Sequence, residues 1–214
     1  MPSRTAGDPV DGVGPARYGL GMPTITIEPA TSGRFDDVQH AFENGGDGRG
    51  CQCQWWTISN ADFRRRTTAE RRELLASEIA AGPSPGLVAY VDGDAAGWVR
   101  VGPRTRQVRI GRTRMIADAS EEPLDDPSVW AVSCFVVRRE HRRVGLANQL
   151  LGAAIAHATT HGARVIEGYP VDVDAKKTSA NELFHGALSS FIDAGFHEVA
   201  RAAPARPIVS LTVR

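Results

Sequence analysis

The sequence predicts a mixed α/β domain in which antiparallel strands come first and one parallel crossover follows. Two observations carry that expectation. Residues 87–91 (LVAYV) and 97–101 (GWVRV) are apolar runs flanking Asp92-Gly93, a dipeptide suited to a tight hairpin turn. Further on come an apolar run at 129–137 (VWAVSCFVV), an Ala-rich helical stretch ending at Gly162, and a second apolar run at 164–169 (RVIEGY). A helix of about five turns between two strands brings the chain back in the same direction, so these two strands lie parallel or nearly so.

The remaining elements follow from local pattern. Thr24-Ile25-Thr26-Ile27-Glu28 alternates apolar and polar residues, as a strand with one buried face does. Phe35, Val38 and Phe42 recur at helical spacing, and Asn44-Gly45-Gly46 stops that helix. A glycine-rich segment, 45–56 (GGDGRGCQCQWW), comes next. Thr67 and Glu70 have the spacing of a capping box and start a helix with Leu74, Leu75 and Ile79 on its apolar face and Gly82-Pro83 at its end. Between Pro103 and Pro127 the chain is irregular: Val108 and Ile110 fit a further strand, and the acidic half from Asp118 to Asp126 reads as loop. Ser179 and Glu182 repeat the capping-box pattern. The helix they open places Leu183, Ala187, Leu188, Phe191 and Ile192 inward and stops at Gly195. Residues 207–213 (PIVSLTV) read as a terminal strand.

Composition narrows the class. The chain has 214 residues, with 25 basic and 25 acidic side chains, enough length for a real core and no surplus of positive charge for a dedicated nucleic-acid binder. No apolar run approaches the ~20 residues of a membrane span. Three cysteines are few and odd in number, which fits a reduced, cytoplasmic protein. Residues 1–22 are rich in Gly, Pro and small polar residues and lack a signal-peptide core, so they are expected to be a disordered tail ahead of a single domain spanning 23–214.

The stretch with the clearest chemistry is the junction from strand to helix at Arg142-Arg143-Val144-Gly145-Leu146-Ala147. The first turn of a helix has backbone N–H groups without internal partners, and the helix dipole adds partial positive charge there. Gly145 lets a ligand approach the backbone, and Arg138, Arg139, Arg142 and Arg143 stand close by in sequence. The expected ligand is a phosphate or pyrophosphate.

In this context the chain resembles the GNAT superfamily of acyl-CoA-dependent N-acyltransferases. The family signature, (Arg or Gln)-x-x-Gly-x-(Gly or Ala) opening a helix after a central strand, corresponds to Arg142-x-x-Gly145-x-Ala147 after Phe135-Val136-Val137, and Ala194-Gly195-Phe196 matches a frequent family ending. A Cys-x-Cys beside an aromatic, VWAVSCFVV and EGYPVD further resemble an uncharacterised bacterial subgroup. The resemblance implies a central, mixed, mostly antiparallel sheet of about six or seven strands with helices on both faces. It implies acetyl-CoA or another acyl-CoA as co-substrate, with backbone groups of Phe135 and Val137 pairing with the pantetheine arm. Backbone N–H groups around Arg143, Val144, Gly145, Leu146, Ala147 and Asn148 would hold the pyrophosphate, with charge from Arg142 and Arg143. The implied activity is direct acyl transfer to the primary amine of a small molecule. Alternatives are a protein lysine or N-terminal acetyltransferase and a non-catalytic acyl-CoA sensor. No metal, nucleic acid or membrane is implied, and either a monomer or a homodimer fits.

The chemistry needs a neutral amine held near the thioester and stabilisation of the developing oxyanion and thiolate. The family's usual acid, a Tyr in the last helix, is replaced by Phe191, and its frequent Glu on the strand before the motif is missing. Glu167 and Tyr169, two apart on one strand, share a face and are candidates for base and acid. Ser133 is a candidate for orienting a water, and His185 is a further possible base. Cys134 has no partnering base nearby in sequence. In Cys51-Gln52-Cys53-Gln54-Trp55-Trp56 the cysteines read as small buried thiols, and Trp55 and Trp56 are expected to wall the acceptor pocket.

Overall fold

The computed structural model describes residues 23–175 and 182–213. The expected 1–22 tail and Ser179 lie outside the described residues. Among the described residues seven strands form one sheet in the order β1-β2-β3-β4-β5-β7-β6. β1 (Ile25–Pro29), β2 (Gly86–Val91), β3 (Asp94–Pro103) and β4 (Val129–Val137) pair antiparallel in sequence order. β4 then pairs parallel with β5 (Val165–Gly168), while β7 (Arg206–Thr212) lies antiparallel between β5 and β6 (His197–Ala203). The hairpin turn is as expected: Asp92 and Gly93 both take positive φ, 50° and 85°, the combination that matches strand twist.

Helices cover both faces. α1 (Phe35–Ala41) and the capped α4 (Thr68–Ala81) pack with Val88, Trp98 and Val136 on one face, where Phe42 and Leu75 are fully buried. Thr67 and Glu70 complete their reciprocal capping box. Two short helices, α2 (Gly48–Cys51) and α3 (Asn60–Arg65), connect α1 to α4. On the other face α7 (Leu146–Thr160) sends Leu146, Leu150, Leu151, Ala154 and Ala158 into a cluster with Val99, Val101, Val132 and Ile166. α7 presses on β3 at Gly97, where a Cβ would come within 3.1–3.3 Å of Val136 O, Leu150 and Leu146.

Three expectations are corrected. Residues Val108–Arg112 form a short helix, α5, followed by α6 (Arg114–Ala117), and not a strand. Ile110 is fully buried against Trp56 and Tyr169, so a helical turn meets the apolar need that suggested a strand. The last helix is split at Gly186 (φ 81°) into a 3-10 turn, Glu182–His185, and α8 (Leu188–Asp193). Leu183 and Ile192 are consequently exposed, at 40% and 46%, while Phe191 is fully buried. β6 had no counterpart in the sequence pattern; its run His197–Ala203 lacks apolar alternation and is defined by pairing with β7. No helix among the described residues is long and apolar enough to cross a membrane.

Candidate active site

The site begins with a mismatch of strand lengths. β4 pairs with β5 only from Val129 to Val132, then runs on to Val137 with no β5 partner. Opposite that parting, the β3–β4 register shifts: Arg100 faces Cys134 and Val101 faces Val132, so Ser133 is an extra, bulged residue. The two halves of the sheet separate there and leave one edge of β4 open. Ser133 O accepts a hydrogen bond from Trp56 Nε1 at 3.0 Å and Val137 O accepts one from Arg142 Nε at 3.1 Å. Both acceptors lie off the β3 side, and Phe135, midway between, presents its backbone groups to the same edge by strand alternation.

A cleft of about 1050 Å³ follows this edge. Its walls include Phe135, Val136 and Val137 of β4, the Gly45–Gly50 segment, Trp55 and Trp56, the turn from Leu183 to Ala187, and Phe191. Gly45 and Gly48 lie directly against Val136, where a Cβ on Gly45 would sit 2.3 Å from Cγ1. A side chain at Gly45 would therefore displace the segment from the strand.

The far end of the cleft is the start of α7. Gly145 is its N-cap at φ 75°, and Arg143 also takes a left-handed φ of 67°. A Cβ on Gly145 meets nothing within 4 Å, so this glycine is needed for its backbone conformation and the open space before it, not for tight helix packing. Arg142, Arg143, Gly145, Leu146 and Ala147 line the cleft, whereas Val144 points to solvent at 46% exposure. Asn148 N donates to Gly145 O at 3.1 Å, so its N–H is already used. Arg138, one of the nearby arginines, is tied beneath β3: it pairs with Asp94 at 2.7 Å and Glu140 at 2.6 Å. Burial works against the Asp94 carboxylate, but the rings of His141 and His40 and the charge of Arg138 hold its pKa below the usual range.

Glu167 and Tyr169 do share a face, but that face is closed. Glu167 accepts from Arg104 Nη1 at 2.8 Å, Ser120 Oγ at 2.8 Å and Tyr169 Oη at 2.6 Å, and Arg104 and Glu167 side chains are each 1% exposed. Burial and then the neighbouring Glu167 charge push the Tyr169 hydroxyl well above its ordinary pKa. Neither residue lines the cleft, because the 104–106 turn and the 120–123 loop fold over them. Ser133 is likewise occupied, donating from Oγ to Gln107 Oε1 away from the cleft. The acid, base and water-orienting roles expected of these three have no access to the cleft surface.

Other groups do have access. His185 lines the cleft beside Trp56, with ring centroids 5.6 Å apart, and its Nδ1 is buried without a hydrogen-bond partner. Burial, and then the positive charge of Arg206, push its pKa down to about 3, so the ring is neutral at ordinary pH. Cys53 and Cys134, 81 positions apart, meet at the floor of the cleft. Cys53 follows Gln52 in a second consecutive left-handed conformation, φ 51° and 53°, and its Sγ accepts from Trp98 Nε1 at 3.2 Å. Burial opposes ionisation of Cys53, yet the Cys134 thiol, the Arg100 charge and the Trp98 N–H bring its pKa below the usual thiol range. Burial, followed by that neighbour, pushes Cys51 up to about 11. Trp55 stands at the mouth, 37% exposed, edge-on to Phe63 at 5.2 Å with the Arg109 guanidinium 3.8 Å over its ring.

A mixed sheet parted at a bulged central strand, with a helix N-terminus at the end of the open edge, is an acetyltransferase-like fold. Residues 53–185, more than half of the chain, match the model of the acetyltransferase (GNAT) family, and the protein belongs to that family. Solved structures agree on the fold. PaiA N-acetyltransferase from Thermoplasma acidophilum, in complex with coenzyme A, superposes with a TM-score of 0.52 at 13% identity, covering 89% of this chain and 99% of that one. YncA from Salmonella typhimurium, with its cofactor acetyl-CoA, gives 0.52 at 16% identity over 88% and 93%. An N-acetyltransferase from Staphylococcus aureus Mu50 gives 0.53 at 15% identity over 88% and 98%. Curated protein sequences give no match.

Proposed function

We propose that the protein is an acetyl-CoA-dependent N-acetyltransferase that moves the acetyl group directly to the primary amine of a small molecule in the cytoplasm. The observation that carries this reading is the open edge of β4, which runs from the Trp56-capped carbonyl of Ser133 to the cradle at Gly145. Backbone groups of Phe135 and the N–H of Val137 offer ladder partners to the amides of a pantetheine arm, the Val137 carbonyl being taken by Arg142 Nε. N–H groups of the turn through Ala147 receive the pyrophosphate, with charge from Arg142 and Arg143. The same fold holds coenzyme A in the Thermoplasma protein and acetyl-CoA in the Salmonella one.

In this reading His185 is too weak a base to take the amine's proton; the burial and Arg206 charge that keep its ring neutral favour the neutral form of the amine, and the proton released on transfer leaves with the coenzyme A thiol. Glu167 and Tyr169 act as positioning residues through their closed network with Arg104, and Ser133 fixes the bulge. Trp55 and Trp56 wall the acceptor side. Neither a nucleic acid nor a membrane enters the reaction, and the protein works as a monomer or homodimer. The test is release of free coenzyme A from acetyl-CoA in the presence of a broad amine panel. Release above the hydrolysis background with at least one amine is expected. Tight acetyl-CoA binding with no turnover on any amine would instead identify a sensor.

A further inference from the structure

The charge around the cleft is one-sided. Arg142 and Arg143 stand at the cradle, where phosphates account for them, but Arg71 and Arg206 also line it, and Asp47 is the one carboxylate in the lining among the described residues. Arg71 is fixed by neutral acceptors: its Nε donates to Gly50 O, its Nη1 to Phe63 O and Arg66 O, and its Nη2 to Thr68 Oγ1, at 2.8–3.3 Å, which leaves one Nη2 N–H and its charge for a ligand. Its guanidinium lies 4.6 Å from the Phe63 ring centroid, and it forms no ion pair among the described residues. Arg206 forms a loose ion pair with Glu182 at 3.7 Å, too long for a hydrogen bond, so its fork is not filled by that carboxylate. Arg71, Arg142, Arg143 and Arg206 therefore outnumber Asp47 and Glu182 around the cleft, and Arg71 sits with the aromatic wall at Phe63.

His185 reports the consequence from inside the cleft: burial and then the Arg206 charge outweigh the nearby Glu182 carboxylate and disfavour a cation there. An ammonium arriving at the same place meets the same two penalties. They help the amine shed its proton, which a cleft without the family's usual acid and base needs. They also oppose binding of any acceptor that brings positive charge and nothing to offset it.

We propose, resting on the acyltransferase reading above, that the acceptor is amino-acid-like: a primary amine that also carries a carboxylate. Arg206 receives the carboxylate in its fork, Arg71 adds charge through its one remaining N–H, and the side group lies against Trp55 and Phe63. Arginine suits this role because its planar fork meets a carboxylate with charge-assisted hydrogen bonds. Polyamines and lysine side chains in basic peptides are disfavoured by the same lining.

The wild-type chain tests this without any mutation. Coenzyme A release is followed with the common L-α-amino acids, with their carboxamides, and with putrescine and spermidine. The best amino acid should exceed its own carboxamide in kcat/KM by about ten-fold or more, and the polyamines should be poorer still. Arg206→Gln, checked for an unchanged melt, should narrow the acid-over-amide ratio to within about three-fold. Carboxamides or polyamines that match or beat the acids overturn this proposal and leave the acyltransferase reading standing. So does a ratio that Arg206→Gln leaves unchanged. No release with any amine, while acetyl-CoA binds, overturns both.

Discussion

Gly145→Ala separates the two things that glycine does. Its φ of 75° lies in the left-handed region, which costs a residue with a Cβ about 1–2 kcal/mol. No neighbour lies within 4 Å of the added Cβ, so there is no steric cost within the protein. For a chain of this size each kcal/mol moves Tm by about 2–4 °C, so the melt should fall by roughly 2–8 °C. Binding should suffer more. The methyl occupies the space through which an anion reaches the N–H groups of the turn, and losing two charge-assisted hydrogen bonds at about 1.5 kcal/mol each weakens Kd roughly hundred-fold. Thermal melts and calorimetric titration with coenzyme A give the two numbers independently. A variant that melts a few degrees lower yet keeps Kd within three-fold would refute the cradle. A fall of more than about 10 °C would refute the open space before Gly145.

Glu167→Ala leaves the Arg104 guanidinium buried without its carboxylate, a change that costs about 3–5 kcal/mol in such pairs. Thermal melts should show it, while coenzyme A affinity at low temperature stays near wild type. A kcat loss of hundred-fold with an unchanged melt would instead make Glu167 the base. His185 predicts a pH dependence of stability. Its folded pKa of about 3 lies below the ordinary 6.5, so the fold favours the neutral ring. That contribution is complete above about pH 6.5 and is lost progressively as the pH falls toward 3. Urea midpoints measured from pH 7 to 4.5 should drop more steeply in wild type than in His185→Gln, and parallel profiles would contradict the assignment.

How much of this was legible in the sequence depended on how local the cause was. The left-handed turn that opens α7 was readable because its determinants lie within one turn of chain: a glycine at the helix start and arginines within a few residues. The hairpin at Asp92-Gly93 and the capping box at Thr67 and Glu70 were readable for the same reason. The interior of the cleft was not. Arg104 covers Glu167 from 63 positions away, and Cys53 reaches Cys134 across most of the domain, so no periodicity signals either contact. Glu167 and Tyr169 lie on one face as strand alternation requires, but alternation does not say what covers that face. The α5 helix shows the complementary failure: two apolar residues at spacing two suited a strand, and the core accepted Ile110 equally well from a helical turn.

Trp56 links these pieces into one account of catalysis. Ser133 O is the first carbonyl on the open edge beyond the end of β5, and the Trp56 indole already fills it. In the proposed reading an arm added along β4 stops after Phe135, beside His185, Cys134 and the aromatic wall. The proposed transfer then draws on position and field more than on a strong acid or base. The arm's length of pairing sets where the thioester comes to rest, and the cationic lining lowers the proton affinity of the amine brought to it. Phe191 stands where the family's usual tyrosine would donate a proton; its ring, fully buried and 6.1 Å from Phe135, packs beside Gly168 and Gly186 and has no proton to give, so the proposed transfer relies on placement.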